Sequence, residues 1–346
     1  MKVGVVGTRG IPNNYGGFER FIEILVQSDE FKRDFEFVIY GSMNTEFNFS
    51  ENVKVKYAGC DKGRRPLTFY ALSLFRAARE CDIILCCGAG GSLFSVLPRL
   101  MGKKIMTNID GLEWRRSKWS IFSRLLLWFL YQPTFLFSNV IVADAKALVK
   151  YIPNLYQKKV KVIEYQAPMF RPEILRDLAQ WPKDFALCVC RLEPENNVEM
   201  IIKGHLLSKT KIPLYIVGNK TTKYYVDSLQ KYDNDVVFLG GIYDLPRLDM
   251  LRTSCKIYYH GHSVGGTNPS LLEAMVYVPG ILLCHDNEFN REVTSELAIY
   301  FSSEICIAEI VQNIDIQSSV QFPLGQYDQN RIAKLYKELF KDKYDA

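Results

Sequence analysis

Histidine is scarce: four in 346 residues, at positions 205, 260, 262 and 285. His260 and His262 have no third ligand at a recognisable spacing, so no metal centre is expected. The nine cysteines include no Cys-x-x-Cys pair, are odd in number and fall mostly inside apolar runs. They read as reduced core residues of a cytosolic chain, which argues against a disulfide framework. Met1 to Gly7 runs straight into Arg9 without the apolar stretch of a signal peptide, so export is not expected. No uninterrupted apolar run approaches the ~20 residues of a membrane span. Charge of one sign is also in short supply, since 43 basic against 38 acidic residues leave a net +5. That excess suits anionic partners such as a diphosphate or an anionic membrane surface, and it is too weak to argue for nucleic acid.

What is present is ordinary globular material, 48% apolar and 23% charged, long enough for two cores at roughly 150 residues per domain. The first half alternates β-branched runs at 3–6, 35–40, 83–87, 104–108, 140–143 and 160–164 with helix-like stretches at 18–27 and 66–79. Buried strands alternating with amphipathic helices predict a parallel sheet covered on both faces. The same grammar restarts at 185–190 and continues through strands at 214–217, 236–239, 257–259 and 281–284. Helices are predicted at 198–208, 222–231, 245–253 and 270–276, with a last one over 326–341. The expected class is α/β, with two Rossmann-like doubly wound domains, 1–167 and 168–325, facing a cleft at the carboxyl ends of their strands. Residues 326–346 form a terminal helix expected to return to the first domain. The apolar stretch 119–137 admits two readings, a buried helix of the first domain or an interfacial patch resting on a bilayer beside Arg115, Arg116, Lys118 and Arg124.

Four loops carry chemistry. Gly7-Thr8-Arg9-Gly10-Ile11-Pro12 with Tyr15-Gly16-Gly17-Phe18-Glu19 follows the first strand and precedes the first helix, where glycines admit a close ligand and helix amides favour an anion. A dinucleotide fingerprint is excluded, because position 5 is Val and no acidic residue ends the second strand at Ile39-Tyr40-Gly41. Asp110-Gly111-Leu112-Glu113-Trp114-Arg115-Arg116-Ser117-Lys118-Trp119 offers carboxylates, cations and indoles suited to polyhydroxylated rings; a solvated charged turn is the alternative. Arg191, in Arg191-Leu192-Glu193-Pro194-Glu195-Asn196-Asn197, can hold a diphosphate bidentately or serve only as a surface ion-pair residue. His260-Gly261-His262-Ser263-Val264-Gly265-Gly266-Thr267-Asn268-Pro269 places glycines ahead of a helix that carries Glu273.

Taken together, and with Phe289-Asn290-Arg291-Glu292-Val293, these motifs resemble bacterial family 4 glycosyltransferases of GT-B fold over about residues 1 to 300. Within them, the rhamnosyltransferase-like subgroup of capsule, O-antigen and cell-wall polysaccharide pathways is the nearest in pattern. The resemblance implies retaining, metal-independent hexosyl transfer from a nucleotide sugar, with no cofactor. A dTDP-rhamnose donor is implied first, and UDP- or GDP-hexoses are the alternative. It implies a saccharide or lipid-linked saccharide acceptor and a cytoplasmic protein in peripheral contact with the membrane face.

The implied donor residues are Gly16, Gly17, Arg191, Asn196, Asn197, His262, Gly265, Gly266, Thr267, Asn268 and Glu273. Arg9, Tyr15, Trp114, Arg116 and Lys118 are the implied acceptor residues, and Asp110, Glu113, Arg191 and Glu273 carry the catalytic roles. Two family positions differ: the usual lysine is Asn196, and the usual first glutamate falls in the acid-free stretch Ser263 to Gly265. Two other classes remain compatible, a paired-domain sugar-nucleotide epimerase and a non-catalytic membrane-associated partner.

Overall fold

The structure is a computed structural model that describes residues 1–12, 16–109, 111–115, 119–171, 184–314 and 320–342. The chain divides into two compact units, one made of residues 1–115, 119–166 and 325–346, the other containing 167–324.

In the first unit the buried β-branched runs become strands. These are β1 (Lys2–Val6), β2 (Glu36–Gly41), β3 (Phe47–Ser50), β4 (Val53–Tyr57), β5 (Ile83–Cys87), β6 (Lys104–Asn108), β7 (Val140–Ala143) and β8 (Val160–Val162). Among the described residues they form one sheet in the order β3-β4-β2-β1-β5-β6-β7-β8, parallel except for the antiparallel β3–β4 pair. Val5 sits between Ile39 and Leu85 at its centre. Strands β5 and β6 are buried at every position, as a sheet covered on both faces requires. Helices α1 (Gly17–Gln27), α2 (Pro66–Glu80), α3 (Val96–Leu100) and α4 (Ile121–Phe137) belong to this unit. The β3–β4 hairpin was not foreseen, because its alternation of buried and exposed residues is short and lies at the sheet edge.

The second unit repeats the pattern. It carries β9 (Ala186–Val189), β10 (Leu214–Val217), β11 (Val237–Gly240), β12 (Ile257–His260), β13 (Ile281–His285) and β14 (Ile299–Phe301), all parallel in the order β11-β10-β9-β12-β13-β14. Its helices are α5 (Val198–Leu207), α6 (Leu245–Ser254), α7 (Pro269–Tyr277), α8 (Glu288–Val293) and α9 (Glu304–Asn313). Ile201, Ile202, Ile216, Ile257, Tyr259, Leu283 and Ile307 meet in one core. Where a regular helix was expected over 222–231, the chain makes a π-helical turn, Tyr225–Leu229. Thr222 Oγ1 caps it by accepting from Tyr225 N, and the Tyr225 hydroxyl donates to Asp233.

Helix α10 (Gln329–Lys341) lies in the first unit. Its stripe Ile332, Ala333, Tyr336, Leu339 and Phe340 is buried, as the period of 3.6 dictates. Phe340 packs against Phe31, Phe35 and Phe37, and Tyr336 against Phe21. Lys104, at the start of β6, donates to the terminal carbonyls of Leu339 and Asp342 and so closes the helix C-terminus.

Helix α4 is not the buried helix that one reading of 119–137 allowed. Of its residues only Tyr131, Thr134 and Phe135 are buried. Phe122 is 80% and Phe129 70% exposed, and Ile121, Leu125, Leu126, Trp128 and Leu136 are exposed too. One side is fastened to the turn Ala89–Ser95 by the Ser92–Thr134 hydroxyl pair, which leaves the opposite side open. Among the described residues no helix is long and apolar enough to cross a membrane.

Candidate functional site

In the second unit, strand order reverses between β9 and β12: β10 and β11 lie to one side, β13 and β14 to the other. Loops at the carboxyl ends of such a pair flank a crevice where open α/β sheets place ligands. Here they are residues 190–197 and 261–268, two of the motifs singled out above. Arg191 is exposed, and among the described residues its guanidinium makes no ion pair or hydrogen bond. That removes the surface ion-pair alternative and leaves a fork of donors available to an anion.

The two loops are stitched together. Ser263 donates to the Glu195 carbonyl through both N and Oγ, and Asn197 Nδ2 donates to the Gly261 carbonyl at 2.8 Å. A Cβ on Gly261 would lie 2.0 Å from the Asn196 carbonyl oxygen, so only glycine fits. Asn196 is buried and donates to the Arg191 carbonyl at 2.6 Å. The asparagine pair therefore shapes the loops through its Nδ2 groups, while the buried Asn196 Oδ1 has no hydrogen-bond partner among the described residues. Gly265, at φ +140°, has open space where a side chain would stand.

Helix α7 follows directly. Asn268 Oδ1 caps it by accepting from Ser270 N, and Thr267 is buried. Glu273 stands on the second turn, its side chain 14% exposed. Its Oε2 accepts from the buried Arg252, and its Oε1 makes no hydrogen bond among the described residues. The His262 ring stacks on His260, centroids 5.5 Å apart, and its carbonyl accepts from both Asn287 and Asn290. The motif around Asn290 is thus a brace for the histidine loop. His260 is 2% exposed. Burial first, and the charge of His285 second, push its pKa down to about 3, so its imidazole is neutral.

The first unit has the same geometry between β1 and β5. Its first loop starts with Gly7 at φ +100°, where a Cβ would lie 2.3 Å from the Cys87 carbonyl oxygen. Helix α1 begins at Gly17 with Gly16 as its cap. The negative charge favoured at that helix start is supplied by the chain itself: Glu19 is buried and accepts from Arg9 N at 2.6 Å. An added phosphate beside Gly16 and Gly17 would meet that carboxylate, which weakens the anion role expected of these glycines. Lys62 donates to the Gly7 carbonyl and lies over the Tyr70 ring, and the Arg9 guanidinium rests against Gly63. Trp114 packs edge-on against Tyr131, centroids 4.3 Å apart, with Glu113 partly buried beside it. Tyr15, Asp110, Arg116 and Lys118 lie outside the described residues.

The sequence profile of a domain of unknown function, DUF1972, matches residues 79–168, a quarter of the chain. No curated protein matches it. Solved structures do. Sucrose-phosphate synthase from Thermosynechococcus elongatus is 12% identical with a TM-score of 0.75, covering 98% of this chain and 99% of its own. Anabaena HepE in complex with UDP-glucose is 16% identical at a TM-score of 0.70, covering 98% and 99%. An α,α-trehalose-phosphate synthase from Burkholderia xenovorans, in complex with glucose-6-phosphate, is 11% identical at 0.71, covering 99% of each chain. The fold is GT-B.

Within this GT-B chain, several site-forming residues escaped the sequence reading. Lys62 meets the first loop from 55 residues away. Gly88, Gly90 and Gly91, after β5, adjoin the same reversal point. Gly88 had a signal, a glycine directly after a fully apolar strand, and its φ of +91° explains it. Arg252, the partner of Glu273, and Asp249, the partner of Arg252, had none.

Proposed function

We propose that this chain is a retaining, metal-independent glycosyltransferase that moves rhamnose from dTDP-rhamnose to a saccharide or lipid-linked saccharide of a surface polysaccharide pathway. The observation that carries the transferase reading is the exposed Arg191, without an ion pair among the described residues, beside the turn that Gly265 leaves open at the strand-order reversal of the second unit. Cleaving the donor bond leaves a nucleoside diphosphate. Arg191 and the Gly265-Gly266 amides are the groups that neutralise its charge, at roughly 3–4 kcal/mol for each preorganised donor. In retention, the acceptor hydroxyl oxygen bonds to the anomeric carbon on the face the diphosphate leaves, and the hydroxyl proton passes to the departing phosphate oxygen. Glu273 takes a ribose hydroxyl. Glu113, Trp114 and Arg9, with Asp110, Tyr15, Arg116 and Lys118, hold the acceptor.

The lipid-linked acceptor draws support from the open side of α4. The helix packs against the turn that carries the exposed Leu93, and its own Arg124 and the neighbouring Arg115 are exposed, a pairing suited to an anionic bilayer. A UDP-hexose donor is the second reading, favoured by the likeness to the UDP-glucose complex of HepE.

Calorimetric titration with dTDP, UDP and GDP, with and without chelator, tests the proposal. Unchanged affinity in chelator is expected, and a ten-fold loss would sink the metal-free reading. A donor panel with a lipid-linked acceptor mimic tests the sugar. A preference for a UDP-hexose above about ten-fold, or 1.4 kcal/mol, would reject rhamnose and keep the transferase.

A further inference from the structure

The second unit contains a chain of four alternating charges that the loops above do not include. Arg171 donates to Asp249 on α6. Asp249 pairs through its other oxygen with Arg252 Nη1 at 3.3 Å, and Arg252 Nη2 pairs with Glu273 on α7 at 2.5 Å. Arg252 is 1% exposed, and Asp249 is buried with it. Tyr258 lies beside the guanidinium, its hydroxyl 3.0 Å from Ser270 Oγ.

Taking an arginine this far from water is costly, and two carboxylates in hydrogen-bond contact are what keep it charged. Burial works against the charge, and Glu273, Tyr258 and Asp249 outweigh it, holding the guanidinium pKa above its usual value. A pair that served packing alone would bury both partners. Glu273 instead reaches the surface, with Oε2 fixed and Oε1 open. Glu273 Oε2 takes one bond from a rigid guanidinium fork whose other arm is held by Asp249, itself backed by Arg171, and that fixed donor orients the carboxylate.

We infer that Arg252 is a positioning residue for donor recognition, which clamps Glu273 so that one carboxylate oxygen is presented to a sugar hydroxyl of the nucleoside. The inference rests on the donor reading proposed above. It assigns the second unit's nucleotide specificity partly to a residue that never touches the ligand, through the relay Arg171–Asp249–Arg252–Glu273. A single presented oxygen is sufficient for the lone 3′-hydroxyl of a 2′-deoxyribose.

The test is whether Arg252 and that hydroxyl are energetically coupled. Binding of dTDP and of 2′,3′-dideoxythymidine diphosphate is measured by calorimetry on the wild type and on Arg252→Lys, with inorganic pyrophosphate as a probe of the phosphate contacts alone. The wild type is expected to prefer dTDP at least ten-fold. In Arg252→Lys, which keeps the charge and loses the fork, the preference should fall below three-fold with pyrophosphate affinity unchanged. A variant that melts lower but keeps the wild-type preference overturns the inference, as does a wild type that does not distinguish the two nucleotides. Should Arg252→Lys fail to fold, Arg252→Met/Glu273→Gln removes both charges of the pair together. It should discriminate no worse than Glu273→Gln alone, and any additional loss overturns the inference. Failure of the wild type to bind any of dTDP, UDP or GDP is a different result, one that removes the donor reading itself.

Discussion

Single residues carry the sharpest consequences. Arg191→Ala removes a charge-assisted contact to the leaving group, so transfer should drop at least about 100-fold, or ~2.7 kcal/mol. Initial rates under saturating acceptor measure it, and a near-normal rate would place the donor elsewhere. His260 governs acid sensitivity. Its folded pKa of about 3 lies below the ordinary value of 6.5, so the unfolded chain binds a proton that the folded chain refuses. Stability from this group is complete above pH 6.5 and is lost as pH falls toward 3. At pH 5 the deficit should be about 2 kcal/mol. His260→Gln should flatten the decline of the melting temperature between pH 7.5 and 5. An unaltered slope would show that another group, such as His205, whose pKa burial also lowers, is responsible.

At the scale of elements, the apolar strands were legible because each is a run buried on both faces: 83–87, 104–108, 140–143 and 214–217 were located to the residue. Helix α9, the edge strands β3 and β14, and β4 next to β3 were not, since each is short and half exposed. The glycine loops announced themselves, because a glycine where the backbone turns tightly leaves a mark in one local stretch. Arg252 left none: its partner Glu273 is 21 residues away, and Asp249 meets Arg171 across 78. Exposure was equally invisible for α4, whose composition is that of a core helix. Trp128→Ser/Phe129→Ser should weaken flotation with anionic liposomes several-fold, and raising salt should weaken it further. Both side chains are exposed, so the variant should melt within about 0.5 kcal/mol of the wild type. Absence of flotation by the wild type would favour a soluble acceptor.

The whole molecule is assembled out of sequence order. The first unit takes its last helix from beyond residue 324, while the second is built almost wholly from 167–324. Burying Ile332, Tyr336, Leu339 and Phe340 contributes about 1.5–3 kcal/mol each, a sum comparable to the ~5–15 kcal/mol that stabilises a domain. A chain ending at Leu324 should therefore lose hydrogen-exchange protection in β1, β2 and β5 while keeping it in β9 and β12. Full protection in all five would show that α10 is dispensable.

The position of α10 also has a temporal side. On the ribosome the second unit can finish folding as soon as its own residues have emerged. The first unit, although made first, must wait with Phe21, Phe31 and Phe37 uncovered until the stretch carrying Tyr336 and Phe340 has left the exit tunnel. Of the two units, the one whose synthesis begins earlier is thus the later to become native, and during that interval it is the one that a chaperone would hold.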